Sequence, residues 1–145
     1  MSQPTQVDPR GLRVVAGITA VVLALVLVTP EPVNVVLLAV QVAVFAVAAL
    51  IGLPQSPYSI FFAQVVRPRI GPPAELEDSR PPRFAQVVGL GFTTVALIAF
   101  LAGATTVGLI ATALALVAAL LNASIGLCLG CELYLALRRL SPARA

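Results

Sequence analysis

The sequence predicts an all-α integral membrane protein with four transmembrane helices. Of its 145 residues, 59% are hydrophobic and only 10% are charged, whereas soluble domains carry about 25% charged residues. The mean hydropathy is +1.02. Residues 84–131 contain no charged side chain, and this stretch is long enough for two spans of about 20 residues joined by a tight turn.

The predicted spans cover residues 12–29, 33–53, 84–102 and 105–126. The turn at residues 30–32 is so short that only an antiparallel hairpin can use it, and prolines at 54 and 57 end the second span. Residues 57–66 are apolar but too short to span, so they predict a short interfacial helix. Residues 67–83 are rich in proline and charge, which predicts a loop.

The chain contains an internal repeat at an offset of 70 residues. The pattern Asp-x-Arg-x-x-Arg precedes both the first and the third span, as Asp8, Arg10, Arg13 and as Asp78, Arg80, Arg83. Each copy is one two-span hairpin, so the repeat is parallel and predicts an approximate two-fold axis along the membrane normal. At this offset, Tyr58 and Phe61 correspond to Cys128 and Cys131.

The basic residues indicate the orientation of the protein. All nine are arginines, and they occur in the N-terminal segment, the central loop and the C-terminal segment, while neither hairpin turn has any. The positive-inside rule therefore predicts a multi-pass protein of the plasma membrane with both termini and the 67–83 loop in the cytoplasm. Apart from Arg13 at the start of the first span, no charge lies within a predicted span, which disfavours a pump or an ion-coupled transporter.

The chemistry-bearing feature is the sequence Cys-Leu-Gly-Cys at 128–131, which holds both cysteines of the chain. Three interpretations are open: thiol redox or sulfur transfer, half of a metal site completed by a dimer or partner, and a purely structural or lipid-accepting helix end. The chain has no histidine, so it lacks the side chain that most often binds metals and acts as a general acid or base near neutral pH. No metal, cofactor or nucleic-acid partner is predicted. In a reducing cytosol a structural disulfide is disfavoured, so the pair is expected to cycle.

The reactivity of the pair depends on the path of the fourth helix. If the helix breaks between Asn122 and Gly126, Cys128 lies at a new helix N-terminus, whose partial positive charge favours a thiolate. The alanine and leucine content instead favours one helix unbroken to Leu140, and that is our prediction. Ser124 would then share the face of the pair one turn earlier, and Glu132 could accept a thiol proton.

Two further sets of polar residues have predicted roles. The charged side chains around the central loop are expected to contact either a small anion, such as a persulfide or thiosulfate, or lipid headgroups. At an anionic membrane surface, each arginine contributes about 1 kcal/mol of binding free energy. The residues are Arg67, Arg69, Asp78, Arg80 and Arg83. Four polar residues inside the spans are expected to bridge helices, namely Asn34, Gln41, Gln86 and Asn122.

Three motifs together resemble a bacterial membrane family, common in actinobacteria, known as domain of unknown function 4395. The opening V-D-P-R-x-x-R lies at residues 7–13, the run R-P-R-I-G-P-P-A-E-L-E-D-S-R-P-P-R-F-A-Q at 67–86, and the ending N-A-S-I-G-L-C-L-G-C-E-L-Y at 122–134. The family form of the ending is expected to have an aromatic residue where this chain has Leu127. The resemblance implies a thiol or sulfur role beside thioredoxin-like and rhodanese-type sulfurtransferase proteins.

The predicted function is thiol-disulfide exchange or sulfur relay between a cytosol-facing Cys128 and Cys131 and a soluble thioredoxin-like or rhodanese-type partner. Cys128 is expected to attack, and Cys131 to resolve the mixed species. The first alternative is a non-catalytic membrane anchor that docks such a partner through the arginine-rich loop. A permease for a small sulfur species is a third class. The lipid bilayer is the predicted environment, and a homodimer is an open alternative.

Overall fold

The computed structural model of the protein describes residues 6–140. The chain folds into four long helices with shorter elements gathered at one end. In chain order the elements are β1 (Gln6–Val7), α1 (Pro9–Val28), α2 (Val33–Ala46) with a π-helical continuation (Val47–Ile51), a 3-10 turn (Leu53–Gln55), α3 (Pro57–Phe61), a second π-helical segment (Phe62–Val66), α4 (Arg67–Ile70), β2 (Glu77–Asp78), α5 (Arg80–Leu101), α6 (Thr105–Ile125) and α7 (Leu129–Arg139).

Four helices are long and apolar enough to cross a membrane, namely Pro9–Val28, Val33–Ile51, Arg80–Leu101 and Thr105–Ile125. The prediction of an all-α, multi-pass membrane protein is therefore confirmed. Their outward faces carry large exposed apolar side chains, such as Val21, Val36, Ile98 and Ile110. In a bilayer these side chains face lipid, where apolar exposure carries no penalty.

The bundle is held together by contacts between its two halves. Helix α1 of the first half packs against α6 of the second, and α2 of the first half packs against α5 of the second. The core of the bundle is a cluster of fully or nearly fully buried side chains contributed by all four spans, comprising Leu23, Val26, Leu38, Ala96, Phe100 and Ala111. Each hairpin thus buries its apolar faces mainly by packing on the other hairpin.

The two copies of the Asp-x-Arg-x-x-Arg pattern form the same local structure. Strands β1 and β2 pair with each other in antiparallel register, with Gln6 opposite Asp78 and Val7 opposite Glu77. The carboxylate of Asp8 accepts a hydrogen bond from the backbone N–H of Arg10 at 2.9 Å. The carboxylate of Asp78 accepts one from the backbone N–H of Arg80 at the same distance. The repeat seen in the sequence is therefore a repeat of structure at the start of α1 and α5.

The helix bounds in the structure differ from several of the approximate predicted ones. The third span begins at Arg80 rather than residue 84, because prolines fit the first turn of a helix, where no intrahelical N–H is needed. The second span ends at Ile51 rather than residue 53. The interfacial segment continues as helix to Ile70, so the loop is shorter than predicted.

The constant offset of the repeat also fails in the second spans. Gly52 and Gly126 each follow an isoleucine at the end of a span, precede a leucine, and have positive φ angles of 156° and 75°. They lie 74 residues apart, because the second copy is slightly longer. At this offset Pro54 and Pro57, rather than Tyr58 and Phe61, correspond to the two cysteines.

Candidate thiol site

The fourth span ends at a helix break just before the cysteine pair. Gly126 adopts a left-handed conformation, and its N–H donates to the carbonyl of Asn122 at 3.0 Å. Glycine takes this conformation without steric cost, so it is the usual residue at such a helix end. Helix α7 then begins at Leu129. The prediction of one helix unbroken to Leu140 was therefore wrong, and the glycine outweighs the helix-forming neighbours.

Cys128 is the N-cap residue of α7. Its backbone is extended, with φ −92° and ψ 102°, and its Sγ accepts a hydrogen bond from the N–H of Cys131 at 3.2 Å. The two Cα atoms are 5.1 Å apart, and the sulfurs are paired as a disulfide. In the reduced protein, the same N–H and the positive end of the helix favour a negative charge on Cys128. Both cysteines are half-buried.

Helix α7 is held against the first turns of α5 by a close approach at Gly130. A Cβ atom added at Gly130 would lie 2.5 Å from the Cβ and 2.6 Å from the Cα of Ala85. One turn further along, the ring of Tyr134 packs on Phe84, with ring centroids 5.7 Å apart. The glycine between the two cysteines therefore lets the pair lie directly beside α5.

The carbonyls at the end of α6 are bound by an arginine from the first helix. The guanidinium NH2 of Arg13 donates to the carbonyl of Ser124 at 2.8 Å and to that of Ala123 at 3.2 Å. A Cβ at Gly126 would lie 4.0 Å from both Cδ and Nε of Arg13. Arg13 thus joins α1 to the break that precedes the pair. From the sequence, Arg13 was assigned only to the repeat and to the opening motif of the family resemblance.

The other half contains the same contact without cysteines. Arg83 donates from Nε to the carbonyl of Ala49 at 2.8 Å and from NH2 to that of Leu50 at 3.2 Å. These carbonyls lie just before Gly52, as those bound by Arg13 lie just before Gly126. Arg83 also lines an open cleft of about 300 Å³ formed with residues 51–55 and Ser79.

The two supporting residues predicted from the sequence lie on different elements. The hydroxyl of Ser124 donates to the carbonyl of Leu120 within α6 at 2.6 Å, and the break separates it from the helix that carries the pair. The expected shared face of Ser124 and the cysteines is therefore absent. Glu132 is exposed in the first turn of α7, and its N–H donates to the carbonyl of Cys128 at 3.0 Å.

Asp8 is a buried carboxylate that pairs with two partly exposed arginines, and this cluster was not predicted from the sequence. Its side chain is only 2% exposed and meets the guanidinium of Arg10 at 2.9 Å and that of Arg67 at 3.5 Å. The hydrogen bonds from Arg10 hold the pKa of Asp8 below its usual range, against the opposing effect of burial. Arg67 also lies over the ring of Phe62, 5.5 Å from its centroid.

The residues predicted to contact an anion are distributed over separate sites. Asp78 pairs with Arg80 at 2.6 Å, and the hydrogen bonds from Arg80 lower the pKa of Asp78. Arg67 contacts Asp8, Arg83 contacts the end of α2, and Arg69 is exposed on α4. The fold therefore brings these side chains to one end of the bundle without joining them in one pocket.

Of the polar span residues, Gln41 bridges helices as predicted, whereas Asn34 makes a local contact. Gln41 is fully buried, and its Oε1 accepts a hydrogen bond from the hydroxyl of Tyr58 at 2.8 Å, which links α2 to α3. Burial raises the pKa of that tyrosine. The Oδ1 of Asn34 instead accepts from the neighbouring N–H of Val35 at 2.8 Å, so this contact stays within α2.

These features define a class: a four-span helical membrane protein with a Cys-x-x-Cys pair at the N-terminus of a further, shorter helix. Within residues 6–140, no set of three His, Cys, Asp or Glu side chains is arranged to hold a metal ion. The chain belongs to the family described as Domain of unknown function (DUF4395), which it matches over residues 7–139. No curated protein and no solved structure matches the chain.

Proposed function

We propose that the protein exchanges thiols and disulfides, or relays sulfur, between its Cys128 and Cys131 pair and a soluble thioredoxin-like or rhodanese-type protein. The observation that carries this proposal is the position of Cys128 as the N-cap of α7, with its Sγ bound by the N–H of Cys131. That position favours the thiolate, which is the nucleophile in exchange. The half-buried pair lies at an end of the bundle that a soluble protein can approach.

In the exchange step, the Cys128 thiolate attacks one sulfur of a disulfide on the partner. A bond forms between Cys128 Sγ and the partner sulfur, and the partner's other sulfur leaves as a thiolate and takes a proton. Cys131 then loses its proton and attacks Sγ of Cys128, which releases the partner as a dithiol. Two electrons pass to the partner, and the pair becomes a disulfide. The reverse sequence reduces the pair with a partner dithiol.

The sulfur relay is a variant that uses the same thiolate. Cys128 attacks the outer sulfur of a persulfide on the partner, so the sulfur moves to Cys128 and the partner leaves as a thiolate. If Cys131 then attacks Sγ of Cys128, hydrosulfide leaves and the disulfide forms. Exposed Glu132, next to Cys131 on α7, is suited to accept the proton that Cys131 loses.

We further propose that the protein lies in the plasma membrane and that this end of the molecule faces the cytoplasm. The pair shares this end with the described arginines, among them Arg69, Arg138 and Arg139, which are exposed. The positive-inside rule favours the cytoplasmic side for such an end. The same arginines are suited to contact lipid headgroups or an acidic surface on the partner.

Trapping in cells tests the exchange. A Cys131→Ser variant lacks the resolving thiol, so we expect it to accumulate a mixed disulfide between Cys128 and a thioredoxin-like or sulfurtransferase protein. The matched Cys128→Ser variant is expected to accumulate less, because Cys131 lacks the N-cap position. Non-reducing electrophoresis followed by mass spectrometry of the linked peptides measures both. If neither variant captures such a protein, the exchange proposal is wrong.

A double variant, Cys128→Ser with Cys131→Ser, separates exchange from anchoring. If the protein is an exchange enzyme, the double variant should no longer transfer electrons or sulfur to the partner. If the double variant still recruits the partner to membranes and supports growth like the unchanged protein, the protein is an anchor rather than an exchange enzyme.

Labelling of engineered cysteines tests the orientation. In the double serine background, we place one cysteine at exposed Glu31, in the first hairpin turn, or at exposed Glu75, in the central loop. A membrane-impermeant thiol reagent should label Glu31→Cys on intact cells and Glu75→Cys only after permeabilisation. The opposite labelling pattern would place the cysteine pair outside the cytoplasm.

A further inference from the structure

We propose that Arg13 is the positioning residue of the cysteine pair. It binds the last carbonyls of α6 and thereby keeps α6 from continuing into α7, so that Cys128 remains an N-cap. This inference rests on the proposed exchange activity, because an exchanging pair needs a stabilised thiolate. Arg13 comes from α1, and neither the family description nor the spacing of the cysteines points to it.

The geometry of the contact supports this role. A continuing helix would use the carbonyls of Ala123 and Ser124 as acceptors for N–H groups four residues later. Both carbonyls instead accept from the guanidinium of Arg13, at 3.2 and 2.8 Å. The arginine also passes beside Gly126, where the left-handed turn occurs. Binding these acceptors stabilises the broken path relative to the continuous one.

The internal repeat provides the matched comparison. Arg83 makes the same contact at the end of α2, with the carbonyls of Ala49 and Leu50. The second half has cysteines after its break at the positions where the first half has prolines. The two contacts are therefore equivalent in structural terms, and only the contact of Arg13 leads into a thiol pair. A role beyond stability should appear at Arg13 and be absent at Arg83.

Other charged groups around the pair are accounted for. Glu132 lies on α7 itself. The first turn of α5 contributes Arg80, which pairs with Asp78, and Arg83, which donates to the carbonyls of Ala49 and Leu50. Further along α7, Arg138 lies over the ring of Tyr134. Of the described arginines, Arg13 is the one bound to the residues that immediately precede the break.

The test measures the pKa of the Cys128 thiol in the full-length protein in detergent, in a Cys131→Ser background where it is the sole thiol. Alkylation by iodoacetamide as a function of pH gives this pKa. Arg13→Gln should raise it by about half a unit, the size expected from weakening a helix N-terminal interaction. Arg13→Lys keeps the positive charge, and its ammonium can still donate to these carbonyls, so it should raise the pKa less.

Arg83→Gln is the control. It should lower thermal stability about as much as Arg13→Gln while leaving the Cys128 pKa unchanged. If Arg13→Gln leaves the pKa unchanged, or if Arg83→Gln raises it as much, the inference is wrong. If Arg13→Gln does not fold, the Cys128 pKa is compared between Arg13→Lys and Arg83→Lys. A rise in Arg13→Lys alone is then expected, and no rise, or an equal rise in both, contradicts the inference. The proposed exchange is tested separately by trapping, so either conclusion can fail while the other stands.

Discussion

Asp8 and Asp78 occupy the same position in the two copies of the repeat, yet their environments differ. The side chain of Asp8 is 2% exposed and faces two arginines, whereas that of Asp78 is 37% exposed and faces one. Ion pairs at an exposed site contribute little, and a buried charge that loses its partner is costly. The copy that contains no cysteine therefore carries the stronger electrostatic contact.

This difference predicts a pH-dependent contribution to stability from Asp8. Its pKa is lowered in the folded protein, so its charge stabilises the fold above the unfolded value of about 3.9. That contribution is lost as the pH falls through the lowered pKa. At pH 7, Asp8→Asn should lower the free energy of unfolding by about 1 to 2 kcal/mol, since an asparagine keeps the N-cap but loses the charge.

Unfolding in detergent between pH 7 and pH 2 measures the effect. The Asp8→Asn variant should lose less stability than the unchanged protein as the pH falls below about 4. Asp78→Asn serves as the matched control and should have a smaller effect at pH 7. Equal losses from the two substitutions would show that burial of Asp8 has no energetic consequence.

At the residue scale, the sequence predicted the identity of the reactive pair and missed its neighbours. Cys128 and Cys131 are the sole thiols, so they could be found by inspection. Arg13 contacts residues that are 110 and 111 positions away along the chain. Such a partner depends on which helices pack together, and a local pattern does not contain that information. The one available signal was that Arg13 and Arg83 occupy the same position in the two copies of the Asp-x-Arg-x-x-Arg pattern.

Among the elements, the path from α6 to α7 shows why local propensity was insufficient. Alanine and leucine favour continuation, while Gly126 and Gly130 favour a break, each at about 1 kcal/mol relative to alanine in a helix interior. Such near-balanced preferences are decided by tertiary contacts. Here the guanidinium of Arg13 binds the end of α6, and Gly130 packs against Ala85 of α5. Neither contact is visible in the sequence near the pair.

The close approach of α7 to α5 predicts the effect of adding a methyl group at Gly130. Its Cβ would overlap both Cβ and Cα of Ala85, so α7 must move away from α5. We expect Gly130→Ala to lower the free energy of unfolding by about 1 to 3 kcal/mol, as overpacking does in other well-packed sites. Thermal unfolding in detergent, with the pair reduced, measures this loss.

Gly91→Ala is the control for the same change within a helix. A Cβ at Gly91 has no atom within 4 Å, and alanine favours helix more than glycine does. This variant should be as stable as the unchanged protein or slightly more so. If Gly130→Ala is equally well tolerated, α7 is not held against α5 at this point.

For the whole molecule, composition and length were enough to predict the fold class. Four apolar segments of span length in a chain with few charges leave a helical membrane protein as the consistent architecture. The ends of the helices were less predictable, because prolines at 81 and 82 fit a first turn as well as a loop. The pairing of α1 with α6 and of α2 with α5 required the structure.

That pairing predicts that the two hairpins depend on each other. A chain cut in the exposed stretch between Gly71 and Glu77 loses no span and no contact between spans. When the two pieces are co-expressed, a tag on the first should recover the second in detergent, because both bury their apolar faces mainly on each other. Affinity purification followed by size-exclusion chromatography measures the recovery.

Each hairpin expressed alone should be unstable, since its side of the core cluster lacks a partner. Aggregation or degradation of the separate pieces is the expected result. Should the first hairpin by itself form a monodisperse, helical species with cooperative unfolding, the hairpins are independent units and the interdependence inferred from their packing is wrong.

The arginine contacts at the ends of α2 and α6 form in a different order during synthesis of the chain. Arg83 lies 33 and 34 residues after the carbonyls that it binds, so the end of α2 stays without its partner until the third span is made. Arg13 precedes its carbonyls, so α6 finds its partner already in place as it emerges. The break before Cys128 can therefore form as soon as the chain reaches it, and the cysteines enter a site whose support was synthesised first.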